Sequence, residues 1–251
     1  MRRIMKTILL LLILTVSGVV HAVPPKVVAD SAYQEGKYQA AAAMYLELLR
    51  MAPHADVYYN LANCYYKSDS LALAILNYER SRLLEPGRED VKHNLELAYN
   101  KTIDKITPQS EMFFIGWWRD FVDLLPMDAW AVCGVVCFWL LCLLVLVYMF
   151  SSRIWLRKTG FYLGIFMLIG LLLTNLSASA QRKKLQQRDK AIVMCSAITI
   201  KSTPNASGTD LFVLHEGTKV TILDTTMKDW CEIRIADGKT GWMPVTAMEV
   251  I

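Results

Sequence analysis

Histidine is scarce in this chain, with four among 251 residues, and His54, His93 and His215 are scattered through unrelated stretches. No HExxH, GxSxG or phosphate-cradling glycine loop occurs. The metalloprotease, serine-hydrolase and P-loop classes therefore have no residues to work with. His93 and Glu96 lie one helical turn apart, but no further metal ligand accompanies them. A non-enzymatic protein without cofactor or metal is expected. Charge is also missing, but only locally. Ala129–Phe150 and Thr159–Leu176 contain no Asp, Glu, Lys or Arg. A soluble core helix needs a polar face, and neither stretch has one. The lack of ionisable groups inside them also argues against a transporter.

These uncharged stretches predict a membrane protein. The first lies within a span at 127–150 and the second within a span at 159–178, each near the ~20 residues that cross a ~30 Å hydrocarbon slab. A third apolar run, Ile8 to Leu14, follows Arg2, Arg3 and Lys6 and ends in Val20-x-Ala22. That pattern predicts a signal peptide over 1–22, cleaved before Pro24-Pro25. The short loop 151–158 carries Arg153, Arg157 and Lys158, which marks it as cytoplasmic. Both flanking regions then lie outside the cytoplasm, in agreement with the signal peptide. A basic linker at 179–190 (Arg182, Lys183, Lys184, Arg188, Lys190) fits that orientation poorly. Before the first span, residues 108–126 include Phe113, Phe114, Trp117, Trp118 and Phe121 beside Arg119, Asp120 and Asp123. They suit an amphipathic helix in the headgroup layer, with membrane lipid as a partner.

The net charge is +4. Residues 23–107 hold 10 basic and 11 acidic groups, and residues 191–251 hold 5 basic and 7 acidic. The basic excess sits around the apolar segments, so it orients the chain in a membrane and offers no nucleic-acid surface.

Residues 23–107 repeat themselves. Ala41-x3-Tyr45-x7-Pro53 recurs as Ala74-x3-Tyr78-x7-Pro86, an offset of 33. Asp56-Val57-x2-Asn60-Leu61 recurs as Asp90-Val91-x2-Asn94-Leu95, an offset of 34. Small residues at crossings followed by an aromatic, at this period, resemble tetratricopeptide (TPR) repeats. Two helical hairpins and a closing helix are expected, with turns at Gly36 and Asp69. The resemblance implies a peptide-binding groove, for which Asn60, Asn63, Asn94 and Lys67 are the candidate contacts, and Arg88 a further cation.

From Ala191 the pattern changes to short β-branched runs broken by turns such as Asp237-Gly238, which predicts a small all-β barrel over 191–251. Glu216-Gly217-Thr218-Lys219-Val220, Asp229-Trp230 and Asp237-Gly238-Lys239-Thr240-Gly241-Trp242-Met243 resemble a bacterial SH3-like domain. Trp242 is expected in the core. Trp230 and Trp242 are the candidate ligand-binding residues, with cell-wall peptide the ligand implied by that resemblance. Cys195 and Cys231 both fall in this region and can form a disulfide if the domain is exported. Cys133, Cys137 and Cys142 read as small packing residues of the first span.

The module order, together with Asp90–Ala98, Trp117-Trp118 and Gly208–Val220, resembles BatE-like proteins of the Bacteroides aerotolerance (Bat) operon. The resemblance implies a multidomain membrane protein: an all-α TPR repeat, a two-helix transmembrane hairpin and an SH3-like barrel. It also implies a scaffold that assembles with other Bat-operon membrane proteins, linked to oxygen or stress tolerance. The alternative is a cell-envelope sensor or peptidoglycan-binding module acting through the barrel.

Overall fold

The computed structural model describes residues 25–251. The expected signal peptide lies outside them. Among the described residues five helices come first: α1 (Pro25–Gln34), α2 (Tyr38–Met51), α3 (Ala55–Lys67), α4 (Leu71–Leu84) and α5 (Glu89–Lys101). They stack as two antiparallel hairpins plus a closing helix. Ala29, Ala41, Leu61, Ala62 and Ala74 are fully buried at the crossings, where a larger residue would push the helices apart. Both second helices are stopped by a proline two residues past their ends, Pro53 and Pro86.

The turn within each hairpin requires left-handed backbone. Gly36 has φ +76° and its equivalent 33 residues on, Asp69, has φ +58°. Only glycine adopts this region without a Cβ clash, and Asp tolerates it better than most residues. Asp69→Gly is therefore expected to raise thermal stability by ~0.5 kcal/mol, whereas Asp69→Val should lower it by ~1–2 kcal/mol. Thermal unfolding of the two variants measures both.

A short helix, α6 (Phe113–Val122), leads into an elbow and then into α7 (Met127–Phe150) and α8 (Ile154–Gln186). The last two are long and apolar enough to cross a membrane. Side chains along them are mostly exposed, and the pair packs through small residues. Gly160 allows the Leu144 carbonyl to approach to 3.1 Å of its would-be Cβ, and Gly134 sits against Thr174. The expected loop 151–158 is only three residues long, 151–153; Arg157 and Lys158 are already helical. The expected linker 179–190 is also largely helical. α8 has 33 residues, roughly 50 Å at 1.5 Å per residue, so its last turns project beyond a ~30 Å slab.

That projecting end closes the elbow. Gln181 is 2 % exposed and its amide donates to the Val122 carbonyl at 2.8 Å, which also accepts from the Trp130 indole at 3.0 Å. Lys184, one turn further, pairs with Asp123. The basic run that fits the orientation rule poorly is thus partly a structural element.

Seven antiparallel strands follow: β1 (Lys190–Val193), β2 (Ala197–Lys201), β3 (Asp210–His215), β4 (Lys219–Asp224), β5 (Trp230–Arg234), β6 (Thr240–Pro244) and β7 (Met248–Val250). Their order is β3-β2-β6-β5-β4-β1-β7. Alternation fills the barrel with Ala191, Val193, Ile200, Leu214, Val220, Cys231, Ile233 and Met243.

The barrel is not a free module. Ile192, fully buried, points out of the barrel and into the helical stack, where it joins Ala74, Ile75, Tyr78 and Ala98. Glu79 on α4 pairs with Lys219 on β4, and Arg80 pairs with Glu249 on β7. After α5 the chain runs along the barrel. Asp104 accepts hydrogen bonds from the His215 amide (2.7 Å) and the Thr218 hydroxyl (2.6 Å), and lies 2.8 Å from the His215 ring Nδ1. Ile106 packs on the barrel core, and the Gln109 amide donates to the Ala236 carbonyl.

Candidate functional site

The three asparagines expected in a groove each hydrogen-bond to a neighbouring helix. In the first hairpin, the Tyr45 hydroxyl of α2 donates to Asp30 on α1 at 2.5 Å. In the second, the Tyr78 hydroxyl of α4 donates to Asn63 on α3, also at 2.5 Å. Asn60 donates to Asp30 at 3.2 Å, and Asn94 donates to Asn63 at 3.2 Å and to the Tyr59 hydroxyl at 3.0 Å. Asp30 and Asn63 are 33 residues apart; Asn60 and Asn94 are 34 apart. The bonds are thus one rung repeated twice, joining the first helix of each unit to the next. The half-buried amides hold the stack in register.

Arg88 is occupied in the same way. Its guanidinium bridges Asp56 and Asp90 and lies 5.0 Å from the centroid of the Tyr59 ring. Lys67 is exposed but stands apart at the far end of α3, in a shallow depression beside Gly36–Ala40. Asn63→Ala should remove the acceptor for two donors and cost about 1–3 kcal/mol. Asn60→Ala should cost less, because Asp30 retains Tyr45 and Lys26. Thermal unfolding of both variants in the full chain checks the order.

The tryptophans fare differently. On β6, Gly241 and Met243 face the barrel interior, so Trp242 turns outward; it is half-buried and absent from the core. Met243 fills the position expected for it. Trp242 stands opposite Glu232 on β5 and opposite Lys201 on β2. Trp230 stands opposite Pro244. Residues directly opposite in an antiparallel pair share a face, with Cβ atoms ~4.5–5.5 Å apart, and diagonal neighbours lie ~7–8 Å apart. Trp230, Trp242 and Pro244 therefore form one outward patch, flanked by Glu232 and by Lys201, which also pairs with Asp210. Two flat, half-buried rings next to charges of both signs suit a proline-rich or ring-bearing peptide segment. None of the contacts between stack and barrel described above involves either tryptophan.

The expected disulfide is not formed. Cys195 and Cys231 are free thiols. Cys195 Sγ contacts the Ala247 carbonyl, while Cys231 Sγ contacts the Met243 carbonyl and the Met248 sulfur. Burial pushes the Cys231 thiol up to about 11, so it stays protonated and unreactive.

Sequence reasoning missed the ionic cluster at the junction of stack and barrel. Glu79 is 3 % exposed and accepts from Lys219 (2.8 Å), Arg82 (2.7 Å) and the Tyr99 hydroxyl (2.6 Å). Burial opposes its charge, but the two cations and the hydrogen bonds outweigh burial and hold the carboxyl at about 2. Asp104 is a milder case: burial works against its anion, and the bonds from Thr218 and His215 keep its carboxyl below the usual range. One signal was available. The first half of α4, Leu71-Ala72-Leu73-Ala74-Ile75-Leu76, has no polar residue and so no face suited to solvent, which implies cover on more than one side.

Residues 196–247 match the bacterial SH3 domain family. No curated protein matches the chain. The protein thus carries a bacterial SH3 domain behind a mostly helical N-terminal region, with two helices apolar enough to span a membrane between them.

Proposed function

We propose that the protein is a non-enzymatic scaffold, anchored by α7 and α8 across the bacterial inner membrane. It presents the TPR-like stack and the SH3 domain together on the periplasmic face. The observation that carries this reading is the docking of barrel on stack through Ile192, Glu79 and Asp104. Interlocking of the two regions supports their lying on one side of whatever α7 and α8 cross. Resemblance to BatE-like proteins supports other Bat-operon membrane proteins as partners and a link to oxygen or stress tolerance.

Co-purification of the full chain from detergent-solubilised membranes tests the scaffold. Trp230→Ala and Trp242→Ala are expected to weaken partner retention by about tenfold or more each, the range for a buried aromatic anchor. If neither changes the partners recovered, the outward face of the barrel is not the docking surface. Reporters inserted in the 151–153 turn and fused after Ile251 test the topology, and a cytoplasmic C-terminus overturns the periplasmic reading.

The second reading is a peptidoglycan-binding envelope sensor, favoured by the outward pair of tryptophans. It predicts that purified sacculi retain the full chain and release both tryptophan variants. The full chain is required, because residues 191–251 alone would expose Ile192.

A further inference from the structure

At the elbow, where stack, barrel and apolar helices converge, lies a cleft of about 790 Å³. Small-ligand sites commonly span ~300–1,000 Å³. Six basic and five acidic side chains line this one. Several already serve the fold: Glu79 with Lys219 and Arg82, and Asp123 with Lys184. Among the described residues, Asp120, Asp189 and Lys190 have neither an ion pair nor a side-chain hydrogen bond. Arg119 reaches away to Glu111 and is about half exposed.

The height of the cleft is set by the elbow. Gln181 is level with Val122 and Trp130 at the start of α7, and Lys184 lies three residues further along α8, or ~4.5 Å. On the near side, Trp117 (71 % exposed) and Trp118 (40 %) precede Arg119 and Asp120 on α6. Exposed tryptophans at the end of an apolar helix pair mark the interfacial layer. The charged cleft therefore sits where lipid headgroups sit.

A lining of one sign would suit a simple anion. Unpaired charges of both signs suit a ligand that carries both. We propose that the cleft holds the headgroup of a phospholipid with a phosphate and a primary ammonium, as in phosphatidylethanolamine. Lys190 takes the phosphate, and Asp120 and Asp189 take the ammonium. The proposal rests on the membrane-spanning reading above.

The full chain is reconstituted in nanodiscs of phosphatidylcholine doped equally with phosphatidylethanolamine and phosphatidylglycerol. It is then re-extracted in detergent, and bound lipid is quantified by mass spectrometry. About one phosphatidylethanolamine per chain is expected, with no enrichment of phosphatidylglycerol. Lys190→Gln should cut its retention about tenfold, the scale of one charge-assisted hydrogen bond. Asp120→Asn should lower phosphatidylethanolamine retention and leave phosphatidylglycerol unchanged. Both residues are exposed, so folding should survive. Equal retention of the two lipids, preference for phosphatidylglycerol, or indifference to both variants overturns the proposal while leaving the membrane reading intact. A chain that stays soluble without detergent and does not enter nanodiscs overturns the membrane reading instead.

Discussion

Ile192→Asp is expected to detach the SH3 domain from the helical stack without unfolding either. The physical reason lies in the alternation of β1. Ala191 and Val193 point into the barrel core, whereas Ile192 points out and packs among helices. Truncating a fully buried isoleucine to alanine costs about 2–5 kcal/mol, and a carboxylate at the same place adds the cost of an unpaired buried charge. All of it falls on the contact between the two units. Hydrogen exchange should show loss of protection along Ala74–Tyr78 of α4, while amides around Ile200 and Ile233 in the barrel stay protected. Unchanged protection of α4 would mean that Ile192 does not hold the interface. The same variant also bears on function, since a freed barrel no longer has to follow the stack.

The second large effect is at Glu79. Glu79→Ala leaves Lys219 and Arg82 without their buried partner, and breaking such a cluster typically costs about 3–5 kcal/mol. Replacing the more buried pair with apolar residues, Glu79→Leu with Lys219→Met, should recover part of that loss, because only Arg82 is then left without its partner and its side chain, 41 % exposed, reaches solvent. Denaturation of single and double variants in one detergent separates the outcomes. A double variant no better than Glu79→Ala would show that the cluster itself is needed for docking. The acid limb gives an independent readout. The folded carboxyl is held at about 2, below its ordinary value of 4.5. A depressed carboxylate contributes stability above its unfolded value and loses it as pH falls toward the folded one. Docking strength should therefore decline between about pH 4.5 and pH 2, and this part of the decline should be absent in Glu79→Leu with Lys219→Met.

The roles of individual polar residues were the least readable part of the sequence. Asn60, Asn63 and Asn94 carry the right chemistry for gripping a peptide backbone, and an amide looks the same in sequence whether its partner is a ligand or the next helix. Their 33- and 34-residue spacing was visible. That Tyr45 and Tyr78 meet the same rung from the other side emerges only once the helices are stacked. Trp242 shows the reverse. Its outward direction follows from the buried Gly241 and Met243 on either side, a two-residue alternation present in the sequence, but a glycine gives no hydrophobic signal from which to read it.

By itself, the sequence determined the local elements. Uncharged runs long enough to span a bilayer set α7 and α8. A 33–34-residue period set the helical hairpins and their left-handed turns at Gly36 and Asp69. Alternating β-branched runs set the strands of the SH3 domain. Each of these depends on neighbours a few residues away, or on a repeat of them, so each leaves a pattern along the chain. Tertiary structure alone decided that the barrel sits on the stack, that Asp104 and His215 meet across 111 residues, and that α8 continues past its apolar stretch to brace the elbow. Those contacts join distant residues singly, by shape and charge, with no period that a linear reading can detect.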